Sequence, residues 1–524
     1  MKLFNIKSRT LIAVFALGSL FTALSCVNDL EREPITDVTS ASVYKDFANY
    51  NSLVAKLYGN VAVGGQGSGD GNSDISGIDG GFSNYLRQLY TLQVITTDEA
   101  IIGWNDGNLP DIHSMNWNAS NEFINALYYR LYTEVAFTNE FLRNTTDEKL
   151  AANGITGENA AEVKFMRGEA RFLRAQAYYH ALDLFGNVPF VKETDLPGTA
   201  LPTRITRPEL FAYVESELKL SETEMRDAKT GLYGRANKAA AWALLARLYL
   251  NSKVYTGTER NNEVISYAEK IINAGYSLKT EYDDLFLADN HINNNEVILP
   301  IVYDGAFTQT NGGTTFLVHA AVGGTMPAAD FGINGGWGGI RTTKNFVNLF
   351  QPTDLRGRFY TSGQNLEINS YPGDFTDGYA FIKYKNVTSS GVAGVHDNWV
   401  STDIPLYRLA DVYLMYAEAT LRGGNGNLAT ALNYVNMLRT RANAGTVSAL
   451  TLDFILDERS RELSWEFTRR TDLIRYGRFT SAAYLWPWKG GIKDGKAVEE
   501  YRNLFPIPAN DVIANPNLIQ NPGY

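Results

Sequence analysis

Residues 165–189 read Phe165-Met166-Arg167-Gly168-Glu169-Ala170-Arg171-Phe172-Leu173-Arg174-Ala175-Gln176-Ala177-Tyr178-Tyr179-His180-Ala181-Leu182-Asp183-Leu184-Phe185-Gly186-Asn187-Val188-Pro189. Phe165, Gly168, Phe172, Ala175, Tyr179 and Leu182 recur at three- and four-residue spacing, which gives a long amphipathic helix that stops before Gly186 and Pro189. Outward from it the same period returns. Thr206-Arg207-Pro208-Glu209 is a capping box ahead of Leu210, Val214 and Leu218, so a second helix starts there. Ala241, Leu244, Leu245 and Leu248 mark a third. Leu409, Val412, Tyr413, Tyr416 and Ala417 mark a fourth, which passes through Gly423-Gly424 into Leu428, Ala431, Leu432, Val435 and Leu438.

Helices joined by such short turns pack as antiparallel pairs. Small residues in Ala243–Tyr249 and Tyr413–Ala419 let two helices approach while aromatics fill the gap, as in tetratricopeptide units. The expected fold class is therefore mainly α, with tetratricopeptide-like helical pairs. Three long stretches, 63–81, 308–339 and roughly 361–398, are rich in Gly, Asn, Asp, Ser and Thr, and they read as irregular binding loops.

The chain has 524 residues, 44% hydrophobic and 20% charged, enough for a sizeable core. Its 47 Lys and Arg against 57 Asp and Glu give a net charge of -10 with no basic stripe, which disfavours nucleic acid and anionic lipid surfaces as partners. The 30 Tyr, 26 Phe and 8 Trp must fill a core or line a surface that binds flat, apolar faces. One cysteine rules out a disulfide framework and any cysteine-rich metal site.

That cysteine is Cys26. A basic start with Lys2, Lys7 and Arg9, an apolar run from Leu11 to Leu24 and the small residue Ser25 precede it, the layout of a lipoprotein export signal over residues 1–25 with Cys26 as the acylated residue. The run is short for a bilayer span, so acyl chains would provide the anchor. Residues 26–524 then read as one domain, its helical scaffold mainly within 40–290 and 403–445 and its loop-rich binding region about 61–118 and 300–400.

The Arg167–Ala175 stretch running into Leu184-Phe185-Gly186-Asn187-Val188-Pro189 resembles the signature of the SusD/RagB family of outer-membrane nutrient-binding lipoproteins of Bacteroidetes. Gly234-Arg235-Ala236-Asn237-Lys238-Ala239, Asp403 to Asp411 and the tail from Phe505-Pro506-Ile507-Pro508 to Tyr524 are similarly family-like. Thr97-Asp98-Glu99, Asp304-Gly305 with Gly312-Gly313, and Tyr484 to Gly491 resemble the family's founding, starch-binding member more than the family at large. The resemblance covers essentially the whole chain after residue 25. It implies a cell-surface, lipid-anchored protein that captures starch-like α-glucans without chemistry or cofactor and delivers them to a SusC-like TonB-dependent transporter. The acidic stretch Asn28 to Glu33 resembles the surface-export signals of such lipoproteins.

The resemblance also implies ligand-binding residues. Trp104 and Trp337 match two members of an aromatic arc, Asp79 and Arg87 match polar partners of sugar hydroxyls, and a matching asparagine is Asn105 or Asn108. Two arc positions differ: Ile102 stands where the founding member has Trp, and Asn311 where it has Tyr. Phe331, Phe307 and Tyr303 are candidates to replace a ring. Trp242 and Trp465 read as core.

Other functions have weaker support in the residues. Asp98-Glu99 is a tempting glycosidase pair, but adjacent side chains diverge, and a helix start after Thr96-Thr97 is the expected role. Asp70-Gly71-Asn72-Ser73-Asp74 opens like a calcium loop, yet Ile75 and Gly81 stand where Gly and Glu are needed, so a flexible acidic loop is expected. Between Asp289 and Glu296, His291 replaces an aspartate of a stretch associated with calcium in the founding member. His113, His180, His291, His319 and His396 share no metal-binding spacing. A lipoprotein glycoside hydrolase, a binder of another glycan or of peptide, and a protein-interaction repeat remain the alternatives.

Overall fold

The computed structural model describes residues 40–524. Cys26 and its preceding signal lie outside the described residues. The architecture is mainly α, with short two-stranded sheets. The deciding stretch forms the helix Gly157–Leu184. Its end is sharp because Gly186, at φ +75°, turns left-handed and its N–H bonds back to the Ala181 carbonyl at 3.1 Å.

The helix Arg207–Glu224 runs back along it. Arg207 Nε donates to the Leu182 carbonyl at 3.1 Å, while Gly168 lies so close to Met225 that a Cβ would fall 2.9 Å from its backbone. The capping box forms as expected, Glu209 Oε2 accepting from Thr206 N at 3.0 Å. Glu122–Asn144 packs on the other side of Gly157–Leu184. Lys238–Leu250, whose alanines are fully buried, packs on Asn261–Asn273.

Asn261–Asn273 packs directly on Leu409–Leu421, although the intervening residues form a long excursion. Leu409–Leu421 then pairs with Leu428–Arg441 and with Leu452–Leu463, so the scaffold continues past residue 445. The excursion leaves along Val297–Ile301 and returns along Ile404–Arg408, which pair antiparallel. It contains a helix, Gly313–Ala321, inside the stretch expected to be irregular; Phe316, Leu317, Val318 and Ala320 give it an apolar surface that is wholly buried.

A buried ion network fastens the excursion to the scaffold. Arg356 pairs with Asp354 and Glu458 at 2.8 Å and with Glu462 at 3.0 Å. Arg408 pairs with Glu296 at 2.9 Å and with Glu462 and Glu466 at 2.7 Å, while Arg441 reaches Glu296 at 2.6 Å. Such charges are tolerable in a core only while every partner is present.

Trp465 is core, as expected, and so is Trp486. Trp242 is half-buried: it packs against the core on one side and carries the Lys270 ammonium 5.5 Å from its ring.

Candidate functional site

The loop 63–81 is tied to its neighbours through its carboxylates. Asp70 is buried; its Oδ1 accepts from Asn311 N at 2.6 Å and its Oδ2 from Thr310 Oγ1 at 2.8 Å, so it ties this loop to 308–312. Asp74 pairs with Lys56 at 2.7 Å. These bonds occupy the carboxylates that the sequence leaves as a loose acidic cluster.

Asp79 is exposed and shapes the next turn, its Oδ1 accepting from Gly81 N at 2.8 Å. Asn84 caps the helix Tyr85–Tyr90 by accepting from Leu86 N and Arg87 N. Arg87 Nη1 then donates to the carbonyls of Gly81 at 3.0 Å and Asn311 at 3.1 Å. Burial pushes the Arg87 guanidinium down to about 10, opposed by the Asp70, Asp79 and Asp106 carboxylates. It stays a cation at neutral pH, in the field of the exposed Asp79 and Asp106 carboxylates.

Phe316 forms a floor shared by Arg87 and Trp104. The guanidinium lies 4.6 Å over its ring, and the Trp104 ring centroid lies 6.3 Å away at 65°. Trp104 is half-buried; Trp337, 36% exposed, lies 6.5 Å from it with 43° between planes. Trp104 Nε1 donates to the Trp337 carbonyl at 3.3 Å. Gly339 permits this, since a Cβ there would sit 2.4 Å from Trp104 Cε2. Behind Trp337 lies His319, stacked at 4.9 Å and 25°, with its Nδ1 bonded to the Gly335 carbonyl at 2.7 Å.

Sequence-derived candidates thus meet in one place: Trp104 and Trp337 as tilted rings, Arg87 over the same floor, and Asp79 one turn away. Asn105 is exposed beside Trp104 in the chain. Asn108 is engaged elsewhere, its Oδ1 accepting from Glu122 N at 3.2 Å and its carbonyl from Asn121 Nδ2 at 2.9 Å.

Ile102 lies in the short strand Ile101–Ile102. It pairs with Ile340 in a short antiparallel ladder and is buried. Asn311 is a bracket, bonded through its N, O and Nδ2 to Asp70, Arg87 and Gly69. Of the three candidate replacement rings, Tyr303 and Phe331 are excluded by burial, Tyr303 donating its hydroxyl to the Ala62 carbonyl at 3.1 Å. Phe307 is 91% exposed on a turn whose amides at Ala306, Phe307 and Thr308 all bond Asp304 Oδ1.

Sequence reasoning missed Trp399. Its Cη2 lies 3.5 Å from where a Cβ on Gly69 would be, the same distance as Asn311 Nδ2, so a half-buried ring stands beside the Asn311 position. The signal was present, since Trp399 follows His396-Asp397-Asn398 in a polar loop like those of Trp104 and Trp337.

Asp98 and Glu99 start no helix and face no cleft. Asp98 forms a buried bidentate pair with Arg469, both contacts at 2.7 Å, and accepts from Tyr484 Oη at 2.6 Å. Glu99 accepts from Ser460 Oγ at 2.9 Å and Trp465 N at 3.0 Å, and burial pushes it up to about 8. Glu296 is held in the ion network. Among the described residues, no group of three or more His, Cys, Asp or Glu is arranged to hold a metal ion, and no helix is long and apolar enough to cross a membrane.

Comparison with known proteins adds to this geometry. A family model described as the SusD family matches residues 345–524, and one described as starch-binding associating with outer membrane matches residues 37–250. The chain is 35% identical to the starch-binding protein SusD of Bacteroides thetaiotaomicron, covering 99% of this chain and 98% of that protein. It is 23% identical to SusD-like protein P2 of Formosa agariphila, covering 96% and 98%. Among solved structures, a SusD-like protein from Bacteroides fragilis superposes with a TM-score of 0.70 at 20% identity, over 94% of this chain and 100% of that one, a likeness of fold.

Proposed function

The chain belongs to the SusD family, and on that premise we propose that it is an outer-membrane glycan-binding lipoprotein that captures starch-like α-glucans and passes them to a SusC-like TonB-dependent transporter. The observation that carries the reading is the ring pair Trp104 and Trp337 beside Arg87 over Phe316. Sugar faces bearing C–H groups pack on such rings by dispersion, while hydroxyls take directional bonds from a guanidinium, a carboxylate and an amide. Asp79, Arg87 and Asn105 are the polar partners in this proposal. Trp399 stands in for the ring absent at Asn311 in this proposal, and Phe307 extends the arc on the neighbouring turn.

Stacking worth roughly 1–3 kcal/mol per ring must offset the entropy of association, which gives affinities of about micromolar to millimolar. Such weak binding suits capture followed by release. The reading is binding without bond cleavage: a glycosidase needs an acid with a raised pKa across a cleft from a second carboxylate, and the carboxyls pushed up furthest, Glu99 and Glu134 to about 8 and Asp403 to about 6, are buried in the core.

Affinity electrophoresis of the protein lacking residues 1–26 through gels of amylopectin, pullulan, dextran, inulin or xylan tests the proposal. Retardation by amylopectin or pullulan, abolished in a folded Trp104→Ala, Trp337→Ala double variant, is the expected result. No retardation by any α-glucan overturns it, and new reducing ends after incubation with starch would move the protein to the hydrolases.

A further inference from the structure

A second exposed apolar patch lies beyond the ring pair. Leu232 and Tyr233 are 72% and 52% exposed, and His291, Ile292 and Val302 are exposed around them. The His291 ring centroid is 6.1 Å from that of Tyr233, and Val302 Cγ2 presses on Gly234, 2.7 Å from where a Cβ would be. Tyr233 is unlike an ordinary surface tyrosine, because its hydroxyl donates at 2.6 Å to Oδ2 of the buried Asp403. The ring is thereby held in one orientation with half its surface open to solvent, which removes the ordering cost that a free side chain would bring to binding.

The same carboxylate joins this patch to the candidate site. Asp403 Oδ1 accepts from Tyr303 N at 2.8 Å, at the base of the turn that displays Phe307. Ser401 Oγ donates to the Asp304 carbonyl at 3.1 Å, and Trp399 precedes Asp403 by four residues, a span of at most about 14 Å of extended chain. Trp337, Trp399, Phe307 and Tyr233 therefore stand on segments that hydrogen bonds tie in series, Asn334 N to the Asp397 carbonyl at 3.2 Å, Ser401 to Asp304 and Tyr233 to Asp403, which we read as one aromatic strip. Alternating rings and hydrogen-bonding groups suit a sugar polymer, whose faces and hydroxyls alternate.

We propose that Tyr233, flanked by His291 and Val302, is a second glycan platform that takes the continuing part of an α-glucan held by Trp104 and Trp337, so that long chains bind more tightly than short ones. This rests on the α-glucan reading above.

The test is titration calorimetry of the protein lacking residues 1–26 with maltotriose and with a long linear maltodextrin, for the wild type, Tyr233→Ala, Tyr233→Phe and the Trp104→Ala, Trp337→Ala variant. Tyr233→Ala is expected to lose about fivefold or more in maltodextrin affinity, the lower end of ring stacking, and to bind maltotriose unchanged. Tyr233→Phe, which keeps the ring and loses the tether to Asp403, should retain most of the preference for length. Equal affinities of wild type and Tyr233→Ala for maltodextrin overturn the second platform alone. So does a loss as large in Tyr233→Phe as in Tyr233→Ala, which would trace to the tether. A wild type that binds neither ligand overturns the α-glucan reading and this proposal with it.

Discussion

Trp337 lies flat on His319, the two rings 4.9 Å apart and 25° from parallel, and His319 itself is almost fully buried. The half-exposed indole therefore has a rigid backing. Burial lowers the pKa of His319, so the imidazole is neutral at physiological pH and presents no charge to the ring above it. His319→Ala should weaken glucan binding several-fold by freeing Trp337, whereas His319→Phe, which keeps a stacking partner, should recover most of it. Calorimetric affinities for the two variants decide the point; equal losses would show that the backing ring is irrelevant.

Gly339 sets the tilt of the other indole. An added methyl at 2.4 Å from Trp104 Cε2 has to displace the ring. Gly339→Ala should therefore lose about 1–3 kcal/mol of glucan affinity, the value of a stacked ring, with little change in melting temperature. Unchanged retardation in amylopectin gels would contradict this.

The burial of Glu134 and Glu99 should cost stability as pH rises from about 5 to 8. Glu134, like Glu99, is pushed from 4.5 up to about 8, by burial above all. A carboxyl whose pKa is raised on folding contributes stability that is fully present below 4.5 and is lost as pH climbs through 8, at up to about 1.4 kcal/mol per unit for each group. His180 acts in the opposite sense: burial lowers it to about 3, so its contribution is present above 6.5 and lost as pH falls below that. Glu134→Gln keeps the shape without the charge and should flatten the decline in melting temperature between pH 5 and 8. A decline as steep as in the wild type would rule out Glu134 as its source.

The ion network should be unforgiving of single changes. Arg408→Met leaves Glu296, Glu462 and Glu466 short of a partner in the core, and a loss of about 3–5 kcal/mol is expected in urea denaturation. Phe307→Ala, on an exposed turn, should stay within about 0.5 kcal/mol of the wild type.

What the residues revealed in advance followed periodicity. The helices around Phe172, Leu210, Leu244 and Leu409 were legible because a repeating apolar face depends only on local spacing. Gly313–Ala321 was not, since a helix buried on all sides has no polar face to set its period and Gly312-Gly313 disguised its start. The roles of Asp70, Asp98 and Glu99 depended on partners hundreds of residues away, Thr310, Arg469 and Trp465, which no local pattern encodes. Trp399 escaped for the same reason: only the approach of Gly69 shows that it stands beside Asn311.

Because Asn261–Asn273 rests directly on Leu409–Leu421, the excursion that carries most of the aromatic strip is an insert between two helices already in contact. The cost of closing such an insert grows only with the logarithm of its length, about 0.6 kcal/mol per doubling. Selection can therefore lengthen, shorten or rewrite the ligand-facing segment without renegotiating the helical repeat, provided Glu296, Asp354, Arg356 and Arg408 stay in place as its fastenings. Diversification of ligand choice across homologues should run through that seam, leaving a nearly invariant frame around an interchangeable face.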